Sequence, residues 1–366
     1  MTQPFHALAL SGGIALGAYE AGAFAALAAA GRAPRWIAGA SVGAINAALI
    51  AGNPPDRRVE RLRRFWQAAV REPAPLAPLW LGSPFAGPWR EAEAVAAALQ
   101  SHLFGSPGVF RPRMGLPGSG ATDVPALYDL HPLRAQLEAL VDFGRLNSGE
   151  IRLSVGTTDI LSGERVVFDT ARGDRIGVDH LLASGSLLPL FAPVEVDGRL
   201  LGDGGLSANL PLDLILDDLP DEDVLCFAVE LFARRGRRPH TLAAAAARAG
   251  DLAFGNQTRR LLEGREREHR LRGLIARLPP RLRDDPDLAP LLAEGREERT
   301  TILCLGYRAA LDEAGLGKAF DFSRRTLAAR WKAGEQDIGE ALRQIEDWSR
   351  QPGLTFHEVA RPAGAR

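Results

Sequence analysis

Over roughly its first fifty residues the chain alternates short apolar runs with apolar helical stretches, and a glycine turn separates each pair. Ala7-Leu8-Ala9-Leu10 leads into Ser11-Gly12-Gly13 and then an alanine-rich stretch from Ala15 to Ala30. Arg35-Trp36-Ile37-Ala38 leads into Gly39-Ala40-Ser41-Val42-Gly43 and then Ala44 to Ile50. Strand and helix signals in this order predict an α/β fold with a mostly parallel central sheet covered on both faces by helices. Val59 to Val70 reads as an amphipathic helix with Leu62, Phe65 and Trp66 on one side. From Pro73 to Pro125 the periodicity is lost among prolines and glycines. Trp80, Phe85, Trp89, Phe104 and Phe110 are scattered through it, with one short helix expected around Glu91 to Leu99. So long an irregular segment in a compact domain is functional or disordered. It is read as an irregular cap, residues 71–127, whose aromatic content lines an apolar channel, touches a lipid surface or packs locally on the core.

Strand signals resume at Ile151 to Thr158 and Arg165 to Phe168, joined by a turn over Leu161 to Glu164. A helix is expected from Val178 to Ser184, then a hairpin over Val194 to Leu201 turning at Asp197-Gly198, then a buried strand from Val224 to Leu231. After about Ala233 the chain becomes arginine-rich and helical, with leucines 261, 262, 271, 274 and 278 near one face. That pattern suits a helix packed on the core with a solvated charged face; a basic helix lying on anionic lipid is the alternative. Pro279-Pro280 ends it, Thr301 to Arg308 reads as a strand, and Asp337 to Gln351 as a final amphipathic helix. The expected organisation is a catalytic core over 1–235, interrupted by the cap, and a mainly helical C-terminal extension over 236–366 packed on it.

A chain of 366 residues buries one large α/β core with additions. A net charge of −1 argues against a dedicated nucleic-acid binder. Cys226 and Cys304 both sit in apolar runs and read as buried small hydrophobes, so no disulfide framework is expected. The N-terminus lacks a basic leader, and the alanine-rich helix is broken by Tyr19-Glu20 and glycines. A cytoplasmic protein with at most peripheral membrane contact is therefore expected. His6, His102, His131 and His180 have no metal-ligand spacing, and neither a metal nor a cofactor is expected.

Candidate chemistry gathers at three glycine-anchored fragments. Gly39-Ala40-Ser41-Val42-Gly43 between a strand and a helix is a nucleophile elbow, with glycines where a Cβ would collide. The Gly12, Gly13 and Ile14 amides beside a helix N-terminus form a candidate oxyanion hole, to which the Val42 amide adds a donor. The bland alternative is that Gly13, Gly17 and Gly22 only let the helix pack on the sheet. Asp203-Gly204-Gly205 offers a carboxylate base, although Asp-Gly is also the commonest kind of turn. A nucleotide site is a rival, since a glycine turn after a first strand is where phosphates bind. It fits poorly: the spacing is not G-x-G-x-x-G, and no acidic residue lies between Glu20 and Asp56 to hold a ribose. A Ser-His-Asp hydrolase would need His240, His269 or His357, each of which reads as a solvated surface residue.

In this order the fragments resemble the patatin-like phospholipases, whose G-G-x-x-x-G turn forms the oxyanion hole, whose G-x-S-x-G holds the nucleophile, and whose D-G-G supplies the base. The likeness extends to Ala183-Ser184-Gly185-Ser186-Leu187-Leu188-Pro189-Leu190-Phe191-Ala192-Pro193-Val194. Phe320-Asp321-Phe322-Ser323-Arg324-Arg325 and Trp331-Lys332-Ala333-Gly334 are similar to the C-terminal extension of a bacterial subgroup. The resemblance implies a serine acyl hydrolase acting on lipid or other acyl esters through a Ser41–Asp203 dyad, with Gly12, Gly13, Ile14 and Val42 donating to the oxyanion. Gly17, Gly39, Gly43, Gly204 and Gly205 support the motifs. Ile14 stands where many relatives carry a glycine and is expected to resist positive φ. Leu16 stands where they carry an arginine, so no anionic head-group preference is implied. An aspartate near its ordinary pKa of about 3.9 is too weak a base, so Asp203 is expected to be shielded from water.

Overall fold

The computed structural model describes residues 4–71, 88–113, 124–233, 236, 238–240, 242–279, 282, 286–293, 295, 299–308, 315–345 and 353–359. Eleven strands are present among them: β1 (Phe5–Leu10), β2 (Trp36–Ala40), β3 (Arg111–Pro112), β4 (Tyr128–Asp129), β5 (Arg152–Asp159), β6 (Arg165–Asp169), β7 (Val194–Val196), β8 (Arg199–Asp203), β9 (Val224–Glu230), β10 (Arg299–Gly306) and β11 (Gly353–Glu358). The main helices are α1 (Ala18–Ala29), α2 (Val42–Ala51), α3 (Arg58–Ala69), α4 (Pro88–Phe104), α5 (His131–Leu140), α6 (Val178–Ser184), α7 (Leu242–Ala276) and α8 (Arg324–Gln344).

Nine strands form one sheet in the order β11-β10-β9-β1-β2-β5-β8-β7, with β6 along the other edge of β5. Every pairing from β11 to β5 is parallel, and β6, β7 and β8 join antiparallel. β1 and β2 are buried along their whole length, as expected of apolar runs covered on both faces. Their side chains alternate between two cores. Leu8, Leu10, Ile37 and Phe227 pack with α1, α2 and α3 on one face, whereas Ala7, Ala9, Ala38 and Cys226 pack with Leu212, Ile215 and Leu262 on the other. All ten residues of α2 are buried, and all but Asn46 are apolar or glycine, so its pattern is close to apolar on every side.

The turn at Asp197-Gly198 places both residues at positive φ, 52° and 75°, the backbone of a tight two-residue hairpin. Two expectations need correction in the C-terminal segment. The final helix, expected over Asp337 to Gln351, runs instead from Arg324 to Gln344, because Ser323 caps it by accepting the Thr326 amide. The strand expected over Thr301 to Arg308 is β10, but the extension also adds β11, which is unexpected, and the two prolong the sheet beyond β9. β11 is half-buried with no clean alternation, which hides it from a pattern search. Of the cap expected over 71–127, residues 72–87 and 114–123, including Trp80 and Phe85, lie outside the described residues. α4 is longer than the expected Glu91 to Leu99.

α8 lies across α1 through two reciprocal close contacts. A Cβ added to Gly22 would sit 1.9 Å from the Trp331 carbonyl oxygen, and one added to Gly334 would sit 2.0 Å from the Tyr19 carbonyl oxygen. Gly22 thus serves helix–helix approach, and not the helix–sheet packing expected for it. Tyr19 donates to Asp337 Oδ2 at 2.7 Å across the same interface. On α7, Arg265 pairs with Asp217 and Glu268, and Arg272 with Glu268. Among the described residues no helix is long and apolar enough to cross a membrane.

Candidate active site

Ser41 is the hinge between β2 and α2. Its backbone, φ 54° and ψ −127°, is one that L-residues seldom adopt, and such strain persists only where the surroundings impose it. The imposition is visible. A Cβ on Gly39 would lie 2.6 Å from the Gly43 carbonyl, and one on Gly43 would lie 2.4 Å from the Leu10 oxygen, so only glycines let α2 start this close to the sheet. The Ser41 amide donates to Ser184 Oγ at 2.9 Å, and that hydroxyl donates to the Gly156 oxygen at 2.7 Å. Ser184 thereby ties the elbow to β5.

β5 also brings the carboxylate to the serine. Gly156 of β5 pairs with Ala40 and the next residue, Thr157, pairs with Asp203, so the end of β8 abuts the end of β2 along one edge of β5. Gly204 permits this abutment: a Cβ there would lie 2.2 Å from the Gly156 oxygen and 3.2 Å from Ala40 Cβ. Asp203 is 3% exposed and Ser41 7% exposed. The Asp203 carboxylate accepts from the Gly205 amide at 2.7 Å, and the Ser41 hydroxyl beside it favours its ionised form. Burial pushes its pKa up to about 6, outweighing the Ser41 and Gly205 contacts. Its main chain is clipped as well, with its amide on the Ser186 oxygen at 3.0 Å and its carbonyl accepting from Thr158 Oγ1 at 2.8 Å.

The glycine turn after β1 flanks the serine. A Cβ on Gly12 would sit 2.9 Å from Ser41 Cβ and 3.6 Å from its Oγ. Two expectations change here. The Gly12 amide is already used, donating to the Asn209 oxygen at 3.1 Å, while Asn209 Nδ2 donates back to the Gly12 oxygen at 3.3 Å. That leaves Gly13, Ile14 and Val42, whose amides have no protein acceptor among the described residues. Ile14 does take positive φ, 52°, whereas Gly13 is extended at 167°. The isoleucine is held there as the first residue of a 3-10 turn, Ile14–Gly17, that leads into α1. Gly17 faces α2 and α3, where a Cβ would meet Val42 at 2.6 Å and Trp66 at 3.0 Å, and Gly205 lies between Asn209 and Asp203.

Beneath the turn, Glu20 is fully buried and accepts from Asn46 Nδ2 at 3.0 Å; Asn46 also donates to the Gly17 oxygen and accepts from Trp66 Nε1 at 3.2 Å. Burial drives the Glu20 carboxyl well above the usual carboxylate range. Among the described residues no histidine hydrogen-bonds Ser41 or Asp203. His240 is exposed and His357 lies in β11 opposite Leu303. His269 is buried on α7, not solvated as expected.

An apolar cavity of about 30 Å³ opens beside Ser41, between Ile14, Val42, Ile45, Leu133, Phe191 and Phe322. Pattern reasoning missed Ser184, Asn209 and Phe322 as contributors: Ser184 and Phe322 lay inside quoted segments that gave them no role, and Asn209 follows the Asp203 turn without a signal of its own. Ser184→Ala is expected to lower kcat about tenfold and to cost roughly 1–3 kcal/mol of stability, since a buried amide and a buried carbonyl each lose a partner. Steady-state kinetics beside a melting curve checks this, and an unchanged kcat would remove Ser184 from any positioning role.

A family model described as patatin-like phospholipase matches residues 8–216, and one described as patatin phospholipase matches residues 252–353. Comparison with curated proteins finds no match. Among solved structures, VipD from Legionella pneumophila aligns with 91% of this chain and 67% of its own at 14% identity and a TM-score of 0.36. The type III effector ExoU aligns with 91% of this chain and 53% of its own at 15% identity and a TM-score of 0.29. ExoU in its heterodimeric complex with SpcU from Pseudomonas aeruginosa aligns with 80% and 57% at 19% identity and a TM-score of 0.29. The chain thus spans between about half and two thirds of those proteins.

Proposed function

The chain belongs to the patatin-like phospholipase family and is a lipid hydrolase of the patatin type; from that premise we propose that it cleaves carboxylic esters through an acyl-enzyme on Ser41, with Asp203 as the general base. Asp203 takes the Ser41 hydroxyl proton as Oγ attacks the ester carbonyl. The Gly13, Ile14 and Val42 amides receive the developing oxyanion, each such donor contributing on the order of 3 kcal/mol to the transition state. Collapse of the tetrahedral intermediate breaks the bond to the alcohol oxygen, which leaves with the proton held by Asp203. Water then attacks the acyl-enzyme, giving its proton to the same carboxylate; collapse breaks the bond to Ser41 Oγ, which takes that proton back from Asp203 as the acid leaves.

The observation that carries this reading is a buried carboxylate with a pKa near neutrality, about 6, set beside the Ser41 hydroxyl by the abutment of β2 and β8. The two segments matched by the family models, 8–216 and 252–353, act on this reading as one catalytic body. A fluorophosphonate probe is expected to label wild-type protein on the peptide containing Ser41 and to leave Ser41→Ala unlabelled. Absence of labelling on folded wild-type protein would end the assignment.

A further inference from the structure

One wall of the cavity beside Ser41 comes from the C-terminal extension. Phe322 lines the same space as Ser41, Val42 and Ile45, although it lies just ahead of α8. The ring is 1% exposed and packs edge-on against Phe110 with centroids 5.8 Å apart. Its backbone is tied on both sides. The Phe322 oxygen accepts the Arg71 amide at 3.0 Å, and the neighbouring Asp321 accepts from Thr326 Oγ1 at 2.7 Å and from the Ser323 amide at 3.0 Å. Arg330, itself 1% exposed, donates to the Asp321 oxygen at 3.3 Å. A side chain carried on so bonded a turn is a fixed stop.

Size decides what such a stop does. The cavity measures about 30 Å³, whereas one water needs roughly 10–15 Å³ and pockets for drug-sized ligands run to roughly 300–1,000 Å³. Among the described residues, this space holds only a few carbons. We propose that Phe322 is a specificity-determining residue of the acyl subsite, so that the extension sets how much of an acyl chain fits beside Ser41. The inference rests on the Ser41 acyl-enzyme reading, and its test is arranged to separate the two.

Purified full-length wild type, Phe322→Ala and Phe322→Trp are assayed on p-nitrophenyl acetate, butyrate and octanoate. Phe322→Ala is expected to raise the octanoate-to-butyrate ratio by about tenfold or more, because each methylene given room gains severalfold, and Phe322→Trp to lower it. If circular dichroism shows that the alanine variant fails to fold, Phe322→Leu serves in its place, with a smaller shift in the same direction. Variants that change all three esters equally overturn the proposal. Fluorophosphonate labelling of the same preparations tells the failures apart. A labelled Ser41 with an unmoved ratio sinks the subsite alone, and an unlabelled folded wild type sinks the nucleophile with it.

Discussion

Asparagine in place of Asp203 is expected to lower kcat by roughly a thousandfold or more and, at the same time, to raise the melting temperature. The two effects have one origin. Burial lifts the Asp203 pKa from 3.8 to about 6, which suits a base that must take a serine proton near neutral pH. The same shift means that the folded protein binds this proton more tightly than the unfolded chain does. Stability from that preference is therefore fully present below about pH 4, where both states hold the proton, and is lost as pH rises through about 6. Near pH 8 the wild type carries the whole burden of a buried carboxylate, on the order of 3 kcal/mol from a shift to about 6. Asparagine keeps the shape without the charge and should melt at least about 3 °C higher there, with the difference shrinking toward about pH 4. Wild-type kcat/KM should in turn fall about tenfold per unit below about pH 6. Melting curves across pH and a pH–rate profile test both halves. A variant that retains the wild-type rate, or that melts lower at about pH 8, contradicts the argument.

Gly204→Ala is expected to be nearly as damaging to activity, through geometry alone. The new Cβ would sit 2.2 Å from the Gly156 oxygen, a backbone atom of β5 held between β2 and β6 that has nowhere to retreat. The end of β8 must then move off β5, taking Asp203 away from Ser41. A loss of roughly 3 kcal/mol or more in stability and about a hundredfold in kcat is expected, since misplacement by even an ångström is costly at a reacting centre. Gly264→Ala on α7 is the control. Nothing lies within 4 Å of its added Cβ, so it should be neutral or stabilising by up to about 1 kcal/mol. If Gly204→Ala matches that control in rate, the abutment of β2 and β8 does not position the carboxylate.

Much of this architecture is legible in the sequence, because the deciding signals are local. Ala7 to Leu10 and Arg35 to Ala38 announce strands covered on both faces, and Asp197-Gly198 announces its turn. The motifs likewise name Ser41 and Asp203 as candidates. What no local pattern carries is the register of β5, which sets Ala40 and Asp203 against consecutive residues. The Gly12 amide looks free in a linear reading and is bonded in the fold, because its acceptor, Asn209, is remote in sequence. Ile14 at positive φ defies its β-branched preference, a local cost imposed by the turn into α1. Phe322 lies in the segment similar to the bacterial extension, but nothing local to it names a role; only the packing of the extension does.

The crossing of α1 and α8 constrains how this protein can change over time. Two bare backbone sites, Gly22 and Gly334, face each other's neighbours at distances that no side chain tolerates. Neither half can therefore be exchanged with that of a cousin unless both positions travel together. The extension is bound to the catalytic segment in inheritance as well as in space, so recombination should preserve the pair or discard it whole.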